Sequence, residues 1–185
     1  MASILGVETL QHTNGTTAAE IKSDGTFYPA GGVVQVKQSS TTSQYSFTST
    51  ALAGEDLSGL SVTITPKSSN SKILVSGTIT VGGSGNNPKH IKLLRDTTEL
   101  GGQDNGSRPG GIIHTYAGEG SDPTYKLQTF HFEYLDSPST TSQITYKLKG
   151  MLDAGTGYIN RTGAHTDNTS SGNGWSAITV KEIAE

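Results

Sequence analysis

The side chains best suited to chemistry in this 185-residue chain are five histidines, His12, His90, His114, His131 and His165, and a scatter of carboxylates. His131 and Glu133 stand two apart in an alternating segment, so on a strand they share a face and could share a proton or a metal ion. A solvent-facing or inter-subunit pair is the preferred reading of the same spacing. No loop ends in the Gly-Lys-Ser/Thr that cradles phosphate, and Gly83-Ser84-Gly85 lacks nucleophile-elbow spacing. No His pair has helical metal-ligand spacing, and no EF-hand loop occurs. The absence of cysteine excludes disulfides, thiolate zinc sites and a thiol nucleophile. A glycosidase would need two facing carboxylates, for which Glu133 and Asp136 are the candidates. The expectation is a protein that is not an enzyme, with no cofactor and no metal.

Recognition chemistry is better represented. Trp175 beside a polar loop can stack on a sugar ring, although capping a core or an interface is the commoner role. The Gly-rich stretch from Gly101 to Gly120, with Arg108, His114 and Tyr116 in or beside it, is the candidate surface-recognition loop. Asn14, Asn105, Asn160 and Asn168 each begin an Asn-x-Ser/Thr triplet; in so Ser/Thr-rich a chain these carry no information.

Such residues must be held by strands, because helical periodicity is nearly absent. Lys72 to Val81 alternates most cleanly, with Ile73, Val75, Gly77, Ile79 and Val81 on one face. Strands are expected at Val33–Lys37, Tyr45–Thr48, Leu60–Thr65, His90–Arg95, Ile112–Tyr116, Tyr125–Leu135, around Ile144–Leu148, at Gly157–Arg161 and at Trp175–Ile183. In Tyr125–Leu135, Phe130, Phe132 and Tyr134 share a face, and Glu99 to Asp122 reads as loop apart from one strand. About eight strands separated by turn signals predict an all-β fold, a β-sandwich or jelly roll, and spacing does not choose between them.

Residues 1–31 read as a short β-rich docking extension, with Ile4, Val7 and Leu10 as its apolar anchor and hairpin signals at Asn14-Gly15 and Asp24-Gly25. Residues 32–185 form the main domain. A piece as small as the extension cannot bury its own core, so it must pack on the main domain, on sister chains or on a partner. Apolar residues are only 31% of the chain, the deficit being filled by glycine, serine and threonine rather than charge, and so thin a core predicts burial between subunits. Net charge is −3, and the nearest thing to a basic cluster, Lys89, Lys92 and Arg95, reads as solvated strand edge. Nucleic-acid binding would need a denser basic footprint. No signal peptide is visible and no apolar run reaches the ~20 residues of a membrane helix, which predicts no membrane insertion and assembly in a cytoplasm.

The opening Ile4-Leu5-Gly6-Val7-Glu8-Thr9-Leu10-Gln11 through Ala18 resembles the starts of structural proteins from tailed phages of marine bacteria and cyanobacteria, with Ile21, Gly25 and Pro29 in the later places. Leu135-Asp136-Ser137-Pro138 through Tyr146, Tyr158-Ile159-Asn160-Arg161 and Ser176 to Ile183 are similar to later elements of the same group, Lys181 being a departure from its usual methionine. The resemblance implies a homotrimeric virion component whose N-terminal piece docks to other virion proteins. Its jelly roll, similar in outline to tumour-necrosis-factor-like trimers, then projects outward. The group spans tail fibres and head decorations and carries no catalytic residues to transfer. The expected function is a short tail fibre or appendage subunit contacting a host-surface glycan or protein. The alternatives are a capsid decoration (cement) protein and a carbohydrate-binding module.

Overall fold

Alternation of β-branched and aromatic residues with serine, threonine and glycine builds strands throughout. The computed structural model describes residues 6–23, 25–84, 87–116 and 123–185. Among them fourteen strands form, all paired antiparallel, with a single 3-10 turn at Pro123–Tyr125. The strands are β1 (Thr9–Gln11), β2 (Thr17–Ile21), β3 (Phe27–Pro29), β4 (Val33–Thr41), β5 (Tyr45–Phe47), β6 (Glu55–Ile64) and β7 (Lys72–Ser84). After them come β8 (Lys89–Arg95), β9 (Thr98–Leu100), β10 (Ile113–Thr115), β11 (Leu127–Asp136), β12 (Ile144–Leu152), β13 (Thr156–Ile159) and β14 (Ser176–Ile183).

Eight of these carry the sandwich. One sheet runs β4-β14-β7-β11 and the other β6-β12-β8-β10. Counted along the chain, that is first-eighth-third-sixth facing second-seventh-fourth-fifth, the strand order of a jelly roll. Ile73, Val75, Ile79, Ile178 and Val180 of the first sheet bury against Leu60, Ile64, Ile91, Leu93, Tyr146 and Leu148 of the second. Phe130, Phe132 and Tyr134 pack at the margin as their alternation predicts.

Strand β7 holds the first sheet together. One edge pairs with β11 along almost its whole length, while the other pairs with β14 over its first half and with β13 from Val81 to Ser84. At the fork the Thr80 amide has no strand partner and donates to the Ser176 hydroxyl at 3.0 Å. The Thr80 carbonyl accepts the Asn160 amide at 2.9 Å. Asn160 is wholly buried, with φ of 61°. Its side-chain amide donates to the carbonyls of Thr41 and Ser43, and its side-chain oxygen accepts the Ser176 hydroxyl at 2.7 Å. Asparagine is among the few residues that tolerate this left-handed backbone while satisfying neighbours with its side chain. Strand β13 then carries β5, whose Phe47 is 2% exposed. An added Cβ at Gly157 would stand 2.3 Å from the Phe47 ring and one at Gly150 2.8 Å, so glycines on both sheets make room for it. Burying such a ring contributes about 2–3 kcal/mol.

The strand boundaries differ from expectation in places with clear physical causes. β6 starts at Glu55, five residues before Leu60, because the β6/β12 register shifts around Gly59 (φ 74°) and interrupts the alternation. Glu99 and Leu100, placed in a loop by sequence, belong with Thr98 to strand β9 on the edge of β8.

β1, β2 and β3 form a separate three-stranded sheet. It joins the body through Gly31 and Gly32, whose backbone bonds with Ala184 extend the β4/β14 edge. Tyr28, 5% exposed, hydrogen-bonds to Ser71, and Ser71 donates to Glu182 at 2.7 Å. Glu182, fully buried, also accepts the Lys67 amide and the Gln35 side-chain amide. Of the packing options open to the extension, contact with the main domain is therefore realised through a polar latch. The Asp24 half of the Asp24-Gly25 signal lies outside the described residues.

Asn160→Ala orphans two carbonyls and the Ser176 hydroxyl inside the fork, each worth about 1–3 kcal/mol. We expect a loss of about 3 kcal/mol or more by chemical denaturation, with Asn160→Gly nearly as damaging because it restores only the backbone. A variant melting like the parent would contradict this role.

Candidate functional site

Strand β8 is buried on both faces. Its inner row, Lys89, Ile91 and Leu93, faces the other sheet. The outer row, His90, Lys92 and Leu94, is buried as well, and the turn-rich segment 101–111 meets it at Asp104, on Lys92, and at Ser107 and Pro109, beside His90. That cover is clamped by Lys92, only 2% exposed, which donates to Asp104 at 2.6 Å and to Glu99 at 3.3 Å. Asp104 also accepts the Gly110 amide at 2.7 Å, and these two donors, Lys92 first, hold its carboxyl below the usual carboxylate range. The expected solvated basic edge is thus wrong for this trio. Lys89 packs over Gly83 and burial lowers its pKa, while Arg95 binds both oxygens of Asp136 at 2.9 and 2.7 Å, with the Tyr146 hydroxyl on the same carboxylate. Lys92 and Arg95 thus become internal ion pairs, while Lys89 donates to the Asn87 carbonyl.

Where the cover meets β10 a cavity of about 580 Å³ opens. Its chemical feature is a histidine pair, for His114 on β10 stands directly opposite His90 on β8. The His90 Nδ1 and His114 Nε2 atoms are hydrogen-bonded, with the rings edge to face and their centroids 3.7 Å apart. His90 is 4% exposed and His114 is exposed. Burial, then the neighbouring His114, push the His90 pKa down to about 4, against an opposing pull from Asp153. Leu52, Pro88, Met151 and Tyr116 give the cavity an apolar wall, and Thr50, Ser107 and Asp153 give it a polar rim. Strand ends position the rim: the Leu152 amide bonds Ser49 and the Asp153 amide bonds Pro88.

Of the residues expected to form a recognition surface, the structure brings His114 and Tyr116 together here. Arg108 is exposed on the neighbouring tight turn, closed by paired backbone bonds with Asn105; its neighbours Ser107 and Pro109 line the cavity. Residues 117–120 of the expected loop lie outside the described residues. Trp175 is elsewhere, 51% exposed in a shallow depression of about 280 Å³ on the outer face of the first sheet, with His131 and Phe132. It does not cap the core. His131 bonds the Thr78 hydroxyl at 2.9 Å, not Glu133. His90, Met151 and Asp153 were missed by sequence, since only the β8/β10 register aligns the two histidines.

At the other end of the molecule, Val7 is half-buried and Leu10 is 45% exposed, while Ile4 lies outside the described residues. Leu10 shares one face of the small sheet with Ile21 (37%) and Phe27 (52%), which sequence reasoning had not grouped with it. Among the described residues no three potential metal ligands cluster, and no helix is long and apolar enough to cross a membrane.

No family model matches the chain, and no curated protein matches it. Among solved structures, a chain from the structure of infectious bursal disease virus, Gx strain, aligns with a TM-score of 0.36 and 10% identity, over 85% of this chain and 42% of that one. The chain thus spans less than half the length of that protein, and at this score the likeness carries no argument.

The buried histidine sets an acid window. An unfolded histidine takes its proton near pH 6.5, whereas folded His90 resists until about pH 4. Between those values the unfolded state binds more protons, so stability is full above pH 6.5 and falls as the pH drops toward 4. Thermal melts of the protein and of His90→Asn across pH 4 to 8 should show a shallower acid slope in the variant. Parallel slopes would contradict the assignment.

Proposed function

We propose that the chain is a structural protein of a phage virion, a short tail-appendage subunit. It docks to other virion proteins through its N-terminal sheet and presents a homotrimeric jelly roll to the host surface. The observation that carries this reading is the two-ended layout along β7. Ser71, next to its first residue, is latched to the extension, while Gly83 near its last residue lies against Lys89, beside the histidine cavity. Thirteen residues of strand at about 3.3 Å each separate the two ends by about 40 Å. An exposed apolar face at one end and a concave, partly polar site at the other suit a part that is held by one end and touches with the other.

Assembly as a homotrimer is supported by the apolar side chains left open on the body, Val33, Val36 and Leu135, each at least half exposed. Contact between copies would supply the burial that a chain with 31% hydrophobic residues lacks by itself. A cement protein would use the same docking face against a capsid shell but has no evident use for the distal cavity, which favours the appendage over the shell. The proposed role is binding and structure rather than catalysis.

Phe27→Asp places a charge on the docking face without touching the Tyr28 latch. We expect the variant to fold and melt as the parent but to be lost from particles in a complementation assay read by virion protein content. Normal incorporation of the variant, or absence of the parent protein from particles, would overturn the proposal, and hundreds of copies per virion would favour the shell.

A further inference from the structure

The cavity at the His90–His114 pair has a ligand chemistry that follows from the hydrogen bond joining the two rings and from the side chains around them. With its pKa near 4, His90 is neutral over the ordinary pH range. A neutral imidazole carries one N–H. If His90 Nδ1 donates to His114 Nε2, then His90 Nε2 is left as an acceptor and His114 Nδ1–H as a donor. In the opposite tautomer the two roles exchange. While both rings are neutral, the pair therefore offers one donor and one acceptor beyond itself. His90 lines the cavity, and its one side-chain hydrogen bond among the described residues is the Nδ1 bond to His114, so Nε2 is the ring atom left for a ligand.

A hydroxyl donates and accepts through a single atom, which suits a site where one donor and one acceptor stand side by side. The rest of the wall selects further. Thr50 and Ser107 add hydroxyl partners, and Asp153 adds an exposed carboxylate that can accept from two adjacent O–H groups. Leu52, Pro88 and Met151 provide a surface for C–H groups, and the Tyr116 ring, 57% exposed at the rim, can stack. No lysine or arginine is among the described residues lining the cavity, Lys92 is committed to Asp104 and Glu99, and the exposed Arg108 stands on the neighbouring turn outside the lining, so Asp153 is the carboxylate of the wall and disfavours an anion there. The volume of about 580 Å³ falls within the few hundred to about 1,000 Å³ of small-molecule sites.

We propose that this cavity binds a neutral sugar ring, its hydroxyls held by the histidine pair and Asp153 and its C–H face laid on the Tyr116 side of the wall. The inference rests on the reading that this end of the molecule faces a host surface, and it assigns the contact to the β8/β10 cavity rather than to Trp175.

Saturation-transfer NMR of the full chain with glucose, galactose, mannose, N-acetylglucosamine and protonated glucosamine tests it. At least one neutral sugar should receive transfer, and its affinity should fall ten-fold or more in His114→Ala and in Asp153→Asn. Both residues are exposed, and the melting temperature should stay near that of the parent. Trp175→Ala should bind as the parent does. No transfer to any neutral sugar, stronger binding of glucosamine, undiminished binding in both cavity variants, or loss of binding in Trp175→Ala would each overturn the proposal. Particle incorporation is read separately: a protein present in virions that binds no sugar defeats only the site, and a sugar binder absent from virions defeats only the virion role.

Discussion

The fork in β7 is the constraint on which the rest of the molecule leans. A single strand cannot hand its edge from β14 to β13 without leaving main-chain groups unpaired at the crossing, and unpaired backbone inside a sandwich is costly. Ser176 and Asn160 take over the bonds that a ladder would have made at Thr80. Asn160 can do so because its side chain offers donors and an acceptor together and its backbone tolerates φ of 61°. With the crossing sealed, β13 stays in the sheet, β5 stays on β13, and Phe47 stays in the slot that Gly150 and Gly157 leave open. A polar residue thereby underwrites a large share of the apolar packing at that end.

Buried charge plays a similar organising part on the second sheet. Lys92 has no apolar reason to lie beneath a loop; it is there because Asp104 of the loop and Glu99 of β9 meet it. Removing one member of such a set is costly, whereas the set as a whole is a weak contributor to net stability. Its value lies in geometry: the clamp brings Ser107 and Pro109 against the His90–His114 pair, making a cavity where an open sheet face would otherwise be. At the opposite end Tyr28, Ser71 and Glu182 fasten the small sheet while its apolar face stays outward. Directional bonds hold both ends, and hydrophobic burial holds the middle.

The long strands were legible in the sequence because each buries one face, and a period of two records that directly. Ile73 to Val81, Phe130 to Tyr134 and Ile144 to Leu148 all lie as their alternation predicts. Alternation fails where the β6/β12 register shifts, as around Gly59, and where both faces are covered, as in β8. Lys89 and Lys92 misled for that second reason, since charge in a strand normally marks the wet face. Asn160 looked like one more polar residue in a polar chain, because its importance depends on Thr41, Ser43, Thr80 and Ser176, which lie far from it along the sequence.

Composition and periodicity by themselves determined an all-β chain, because strand alternation is a property of local residue order. They also singled out His114 and Tyr116, since turn-rich segments on β scaffolds are where side chains are free to act. The tertiary structure decided the jelly-roll order, the seating of the extension and the composition of the cavity. Those depend on register and on which loop folds over which strand. His90 faces His114, 24 residues away in the chain, only because β8 and β10 pair at that register, and no local pattern encodes a pairing across so many intervening turns.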